Sequence, residues 1–165
     1  MTIIKYPEKV LRQKAKPVDK ITREIFDIAE AMTATMLDND GVGLAANQVG
    51  YLLNIFTINL KPFADKPEPI VFINPKIIRL TESEEVDEEG CLSFPGLFLH
   101  IPRFNNIVLH YQNLYNEKII IEAKGLVARA IQHEYDHLNG ILFIDYVNKQ
   151  EKEKLDQYLV DMKAT

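Results

Sequence analysis

Ile21, Ile25, Ile28, Met32 and Met36 recur at three- and four-residue intervals. That spacing lays apolar side chains along one face of an α-helix. It predicts a helix over about residues 20–38, capped by Asp19 and stopped by Asn39, Asp40 and Gly41. After Gly50 the period changes. Residues 54–60 alternate polar and apolar positions, and residues 70–73 and 77–78 are short apolar runs punctuated by Pro62, Pro67, Pro69 and Pro75. Residues 97–101, 107–111 and 118–122 read as further strands, the last two joined by a hairpin turn at 113–116. A second helix follows over about 125–138, ended by Asn139 and Gly140. Residues 141–147 are apolar, and 149–162 form a polar, weakly amphipathic tail helix. The strands are clustered rather than alternating with helices, which predicts an α+β fold. Antiparallel or mixed strands would surround a central second helix, with an N-terminal helix and a short C-terminal helix at the flanks.

A chain of 165 residues is long enough for one domain with a real core and too short for two. We read residues 1–147 as a single domain and 148–165 as its tail helix. The net charge of −5 makes a direct nucleic-acid substrate unexpected. No apolar run approaches the roughly 20 residues that span a bilayer, so no membrane partner is expected. The single cysteine excludes an intrachain disulfide. With no secretory or transit pattern at the start, a reducing, cytoplasmic setting is expected. Six carboxylates crowd residues 82–89, and for most of them a solvated loop or edge strand is the plain reading.

The second helix carries His133-Glu134-Tyr135-Asp136-His137. Histidines four apart lie one turn above each other on one face and can grip one metal ion. Glu134 is offset around the helix, close enough to reach a water on that ion and serve as a general base. A catalytic site of this kind needs a third ligand. The 28 residues after His137 hold no histidine, and their only glutamates, Glu151 and Glu153, lie in the polar tail. The lone Cys91, in Glu89-Gly90-Cys91-Leu92-Ser93-Phe94-Pro95, is the better third ligand. A further cluster, Gly41-Val42-Gly43-Leu44-Ala45-Ala46-Asn47-Gln48, is built of small residues that let another backbone approach. It reads either as a tight wall beside a substrate or as a turn packed on the core. Helix geometry also puts Leu126, Arg129 and Ala130 on or near the face of the two histidines, where Leu126 and Ala130 could line an apolar pocket.

These three segments, in this order and at these separations, resemble the motifs of the peptide deformylase family: Gly41 to Gln48, Glu89 to Pro95, and Gln132 to Gly140. The resemblance covers about residues 3–147. It implies a hydrolase that removes the formyl group from the N-terminal formylmethionine of newly made peptides and releases formate. It implies a metal site of Cys91, His133 and His137, holding ferrous iron most often, with zinc, nickel or cobalt as substitutes. Glu134 would take the proton from the attacking water and pass it to the leaving amine. The Leu92 backbone N–H and the Gln48 side chain would donate to the oxyanion. The backbone at Val42 and Gly43 would pair with the substrate peptide as an added strand. Leu126 and Ala130 would accept the methionine side chain, with Arg129 at the rim or paired to a carboxylate such as Glu89. Phe98 stands where some bacterial members carry an arginine. A transient ribosome contact through the tail is a further expectation, in a bacterial-type cytoplasm. Two other readings remain: a zincin-like metallopeptidase, which lacks its downstream ligand here, and a non-catalytic, metal-stabilised relative, for which Glu134 and Gln48 would be superfluous.

Overall fold

A computed structural model describes residues 1–62 and 68–165. Pro67 therefore lies outside the described residues. The elements are α1 (Arg23–Asp38), β1 (Gly43–Ala45), β2 (Ile55–Ile58), β3 (Ile70–Leu80), β4 (Glu84–Cys91), β5 (Phe94–Phe104), β6 (Asn106–Gln112), β7 (Lys118–Lys124), α2 (Gly125–Leu138) and α3 (Lys149–Ala164). The fold is α+β. Five strands form one antiparallel sheet in the order β1-β2-β3-β6-β7, and β4 and β5 form a separate two-stranded sheet. The expectation of antiparallel or mixed strands resolves to antiparallel: the named strands all pair that way, and the one parallel contact among the described residues is an isolated bridge between Lys16 and Leu53.

Three apolar clusters hold these layers together. The first joins α2 to one face of the five-stranded sheet through Ala128, Ile131 and Leu138 against Phe56, Phe72 and Leu109. The second joins α1 to the opposite face through Ile28, Met32 and Met36 against Leu44, Ile55 and Ile73. The third lies under β5, where Leu97, Leu99 and Ile101 meet Phe143 and Ile144, which precede α3, and Leu155 on α3. Fully burying each such side chain contributes about 1.5–3 kcal/mol relative to leaving it in water.

Because β2 has a helix on each side, its alternating sequence produces four buried residues rather than one wet face. Thr57 accommodates this by sharing a hydrogen bond with Thr33 of α1 at 3.2 Å. Three expectations need correction. Helix α1 begins at Arg23 rather than near residue 20, and its cap is Thr22, whose hydroxyl accepts from the Ile25 N–H, rather than Asp19. Thr22 has the extended backbone a cap requires, and a helix can start only after it. Residues 70–80 form one strand instead of two. Pro75 is tolerated because it falls where the β3–β6 register slips between Ile73 and Lys76, so its missing N–H costs no ladder bond. The tail helix α3 runs two residues further than expected, to Ala164. No helix among the described residues is long and apolar enough to cross a membrane.

Candidate metal centre and active site

Cys91, His133 and His137 reach one another from two elements. His133 and His137 lie one turn apart on α2, with Nε2 atoms 3.2 Å apart. Cys91 ends β4, where the β4–β5 register shifts after Gly90 and re-aims the chain. Its Sγ lies 3.4 Å from His137 Nε2. One ligand atom from each of the three lies within 4.8 Å of the others. A tetrahedral divalent ion with ordinary Zn–N and Zn–S bond lengths would separate such atoms by about 3.4–3.6 Å. The donor set, soft thiolate plus two imidazoles, and its spacing both fit a single metal ion.

The surrounding groups orient the ligands. His133 Nδ1 meets Glu89 Oε1 at 2.8 Å. Glu89 also accepts from Arg103 Nε at 2.8 Å and from an Arg129 guanidinium nitrogen at 2.7 Å. Burial alone would raise the Glu89 pKa, but the bonds from His133 and Arg103 outweigh it and hold the carboxyl well below the usual range. Arg103 reaches on to Asp136 at 2.6 Å, and Tyr146 donates to the same carboxylate at 2.8 Å. His137 is fully buried, and burial above all holds its pKa well below the usual value. Its backbone carbonyl accepts from the Asn47 amide.

Glu134 is buried, and its Oε2 has no hydrogen-bond partner among the described residues. Burial, reinforced by the charges of Glu89 and Asp136 against those of His133 and Arg103, raises its pKa to about 7. It borders a cavity of about 580 Å³ that the motif segments enclose. Val42, Gly43, Gln48, Cys91, Leu92, Leu126, Arg129, Ala130 and His133 all border the same cavity. Among the described residues β1 is the terminal strand of its sheet, paired to β2, and Gly43 on it borders the cavity. Gln48 is fixed by its own loop: its Oε1 accepts from the Ala45 N–H at 2.9 Å, leaving Nε2 directed at Cys91 Sγ (3.5 Å) and Ser93 Oγ (3.1 Å).

The structure thus brings the sequence-derived residues to one place. Arg129 also lines the cavity, but its donors are committed: besides Glu89 it holds the Ile101 and Glu85 carbonyls, each at 2.7 Å. Leu126 is half-exposed at the cavity mouth, and Phe98 beside Gly90 is half-exposed as well. The linking role of Arg103 has a faint sequence signal, a charge on the inward-facing parity of β5 beside Leu97, Leu99 and Ile101.

An α+β fold that gathers a cysteine sulfur and two imidazoles beside a buried carboxyl group in a cavity fits the class of single-metal hydrolases. The profile of the polypeptide deformylase family matches residues 1–153, and the chain belongs to that family. A peptide deformylase of Clostridium botulinum is 47% identical over 148 residues, 90% of this chain and 97% of that protein. One from Rhizobium meliloti is 40% identical over 151 residues, 92% of this chain and 87% of that protein. The crystal structure of peptide deformylase from Thermotoga maritima superposes with a TM-score of 0.84 at 42% identity, covering 89% of this chain and 97% of that one.

Proposed function

We infer that this chain is a metal-dependent peptide deformylase, removing the formyl group from the N-terminal formylmethionine of newly made peptides as formate. The observation that carries the mechanism is Glu134: a buried carboxylate with one unpaired oxygen, next to the Cys91–His133–His137 cluster. Those three residues would hold the ion, for which ferrous iron is proposed and which zinc, nickel or cobalt could replace. A bound divalent metal supplies Lewis-acid polarisation and a water of lowered pKa.

The protein's own residues do the rest. The open edge of β1 at Val42 and Gly43 binds the peptide backbone as an added strand. Leu126 and Ala130 accept the methionine side chain. Gln48 Nε2 and the Leu92 N–H donate to the oxyanion that develops on the formyl oxygen. Glu134 accepts the proton of the attacking water and delivers it to the leaving amine, and a pKa near neutrality suits both steps. Arg129 acts through Glu89. Helix α2, bearing the H-E-x-x-H residues between the sheets, is the catalytic helix. We read the chain as one catalytic domain with α3 as its C-terminal helix, since Leu155 of α3 packs into the third core cluster. A bacterial-type cytoplasm and a transient ribosome contact suit a substrate that is a nascent chain.

The test is formate release by protein purified without oxygen, with its metal content measured. A formyl-Met peptide should be hydrolysed, and an N-acetyl or unblocked peptide should not. Cleavage of the unblocked peptide's internal bonds would instead favour a metallopeptidase.

A further inference from the structure

Residues 4–6 bridge the two segments that carry the proposed oxyanion donors. The Ile4 N–H donates to the Gln48 carbonyl at 2.7 Å, and the Tyr6 N–H donates to the Ser93 carbonyl at 3.0 Å. Between them, Lys5 Nζ donates to the Leu92 carbonyl at 2.8 Å while bordering the active-site cavity. The Tyr6 ring stacks on Phe94 with centroids 4.9 Å apart. Gln48 Nε2 to Ser93 Oγ, at 3.1 Å, ties the two segments directly. The first residues of the chain therefore set the spacing between Gln48 and the Leu92–Ser93 turn, and none of these bonds uses a metal-ligating atom.

We propose that Lys5 is a positioning residue for the oxyanion site, its ammonium fixing the turn that presents the Leu92 N–H. The inference rests on the deformylase reading above. The Lys5 bond is charge-assisted, hence stronger than a neutral one, and it holds the peptide that immediately follows the donor. A preorganised donor contributes only at the position the oxyanion will occupy, so small rotations of this turn reduce transition-state stabilisation. Ground-state binding of the peptide along β1 does not depend on the turn in the same way. Lys5 is exposed, so its replacement should leave folding intact.

The experiment compares wild type, Lys5→Met and Lys5→Arg on a formyl-Met peptide, with metal content and thermal midpoint measured on each. Lys5→Met should lower kcat on the order of tenfold with KM, metal content and midpoint unchanged. Lys5→Arg, which keeps a cationic donor, should recover most of the rate. An unchanged kcat in Lys5→Met would overturn the proposal. So would a raised KM at unchanged kcat, which would make Lys5 a substrate contact, or a loss that tracks metal content or midpoint. A wild-type protein that releases no formate would instead overturn the deformylase reading on which the proposal stands.

Discussion

Gly43 lies directly against Glu134: a methyl group at position 43 would fall 2.5 Å from Glu134 Oε1. No ordinary carbon–oxygen contact is that short, so a side chain at position 43 would force Glu134 or β1 to shift. The close approach places the edge that would receive a peptide next to the proton acceptor. Gly43→Ala should displace Glu134 and lower kcat/KM by about 100-fold, the scale on which a roughly 1 Å misplacement acts. Metal content should be retained, because the three atoms nearest the added methyl all belong to Glu134 rather than to a ligand. Parallel kinetics and metal analysis on the purified variant check this, and wild-type activity in it would refute the steric argument.

Glu134→Gln preserves shape and removes the proton acceptor. Loss of a positioned general base costs about 10²–10⁴ in rate, so formate release should fall by at least that lower figure. Metal should stay bound, since Glu134 is outside the Cys91–His133–His137 cluster. The thermal midpoint should not drop, because a neutral amide replaces a carboxyl whose Oε2 is buried without a partner. Retained activity would exclude Glu134 as the base.

The Cys91–His133–His137 cluster was legible because most of its information is local. Spacing of four along α2 brings His133 and His137 together whatever the rest of the chain does, and a lone thiol left one choice for a third ligand. The helix faces of α1 and α2 were legible for the same reason. Arg103 was not, because its partners Glu89 and Asp136 come from β4 and α2, and only tertiary pairing reveals them. Within the run of six carboxylates, Glu89 was named only as a partner for Arg129, a pairing that is present at 2.7 Å; its bonds to His133 and Arg103 depend on tertiary packing. Pro75 misled in the opposite direction: a strand breaker by local rules, it sits at an irregularity that only the β3–β6 register defines. The Lys5 contact to Leu92, across 87 residues of sequence, leaves no local pattern at all.

The segment before α1 is tied to the segment after α2 by Arg12 and Asp145, whose bonds are 2.6 and 2.9 Å. Burial works to raise the Asp145 pKa, but the Arg12 bonds and the Leu142 N–H outweigh it and lower it from its usual value of 3.8. A carboxyl whose folded-state pKa is depressed contributes stability that is fully present above its unfolded pKa. That contribution is lost as pH falls through the lower, folded value. The stability difference between wild type and Asp145→Asn should therefore be constant above about pH 5 and shrink below about pH 4. Because the pair is more than one-third exposed, the difference should be small, as for surface pairs generally. Denaturant unfolding across that pH range measures it, and a difference that grows toward low pH would contradict the assignment.

Arg103 is the residue whose loss should separate stability from ligand orientation. It is 5% exposed and sits between two carboxylates, Glu89 and Asp136. Arg103→Met keeps the length of the aliphatic stem but leaves those carboxylates facing each other with one fewer cation. Breaking a buried pair in this way costs about 3–5 kcal/mol, although Arg129 and Tyr146 still serve Glu89 and Asp136 and should moderate it. Glu89 also receives His133 Nδ1, so a shifted Glu89 leaves the imidazole less well oriented. Partners of this kind set metal affinity by about 10–100-fold. A variant that unfolds more easily and, while still folded, binds metal more weakly in a competition titration would show both effects. If Arg103→Met lost stability but held metal as tightly as wild type, Glu89 would be orienting His133 through Arg129 alone.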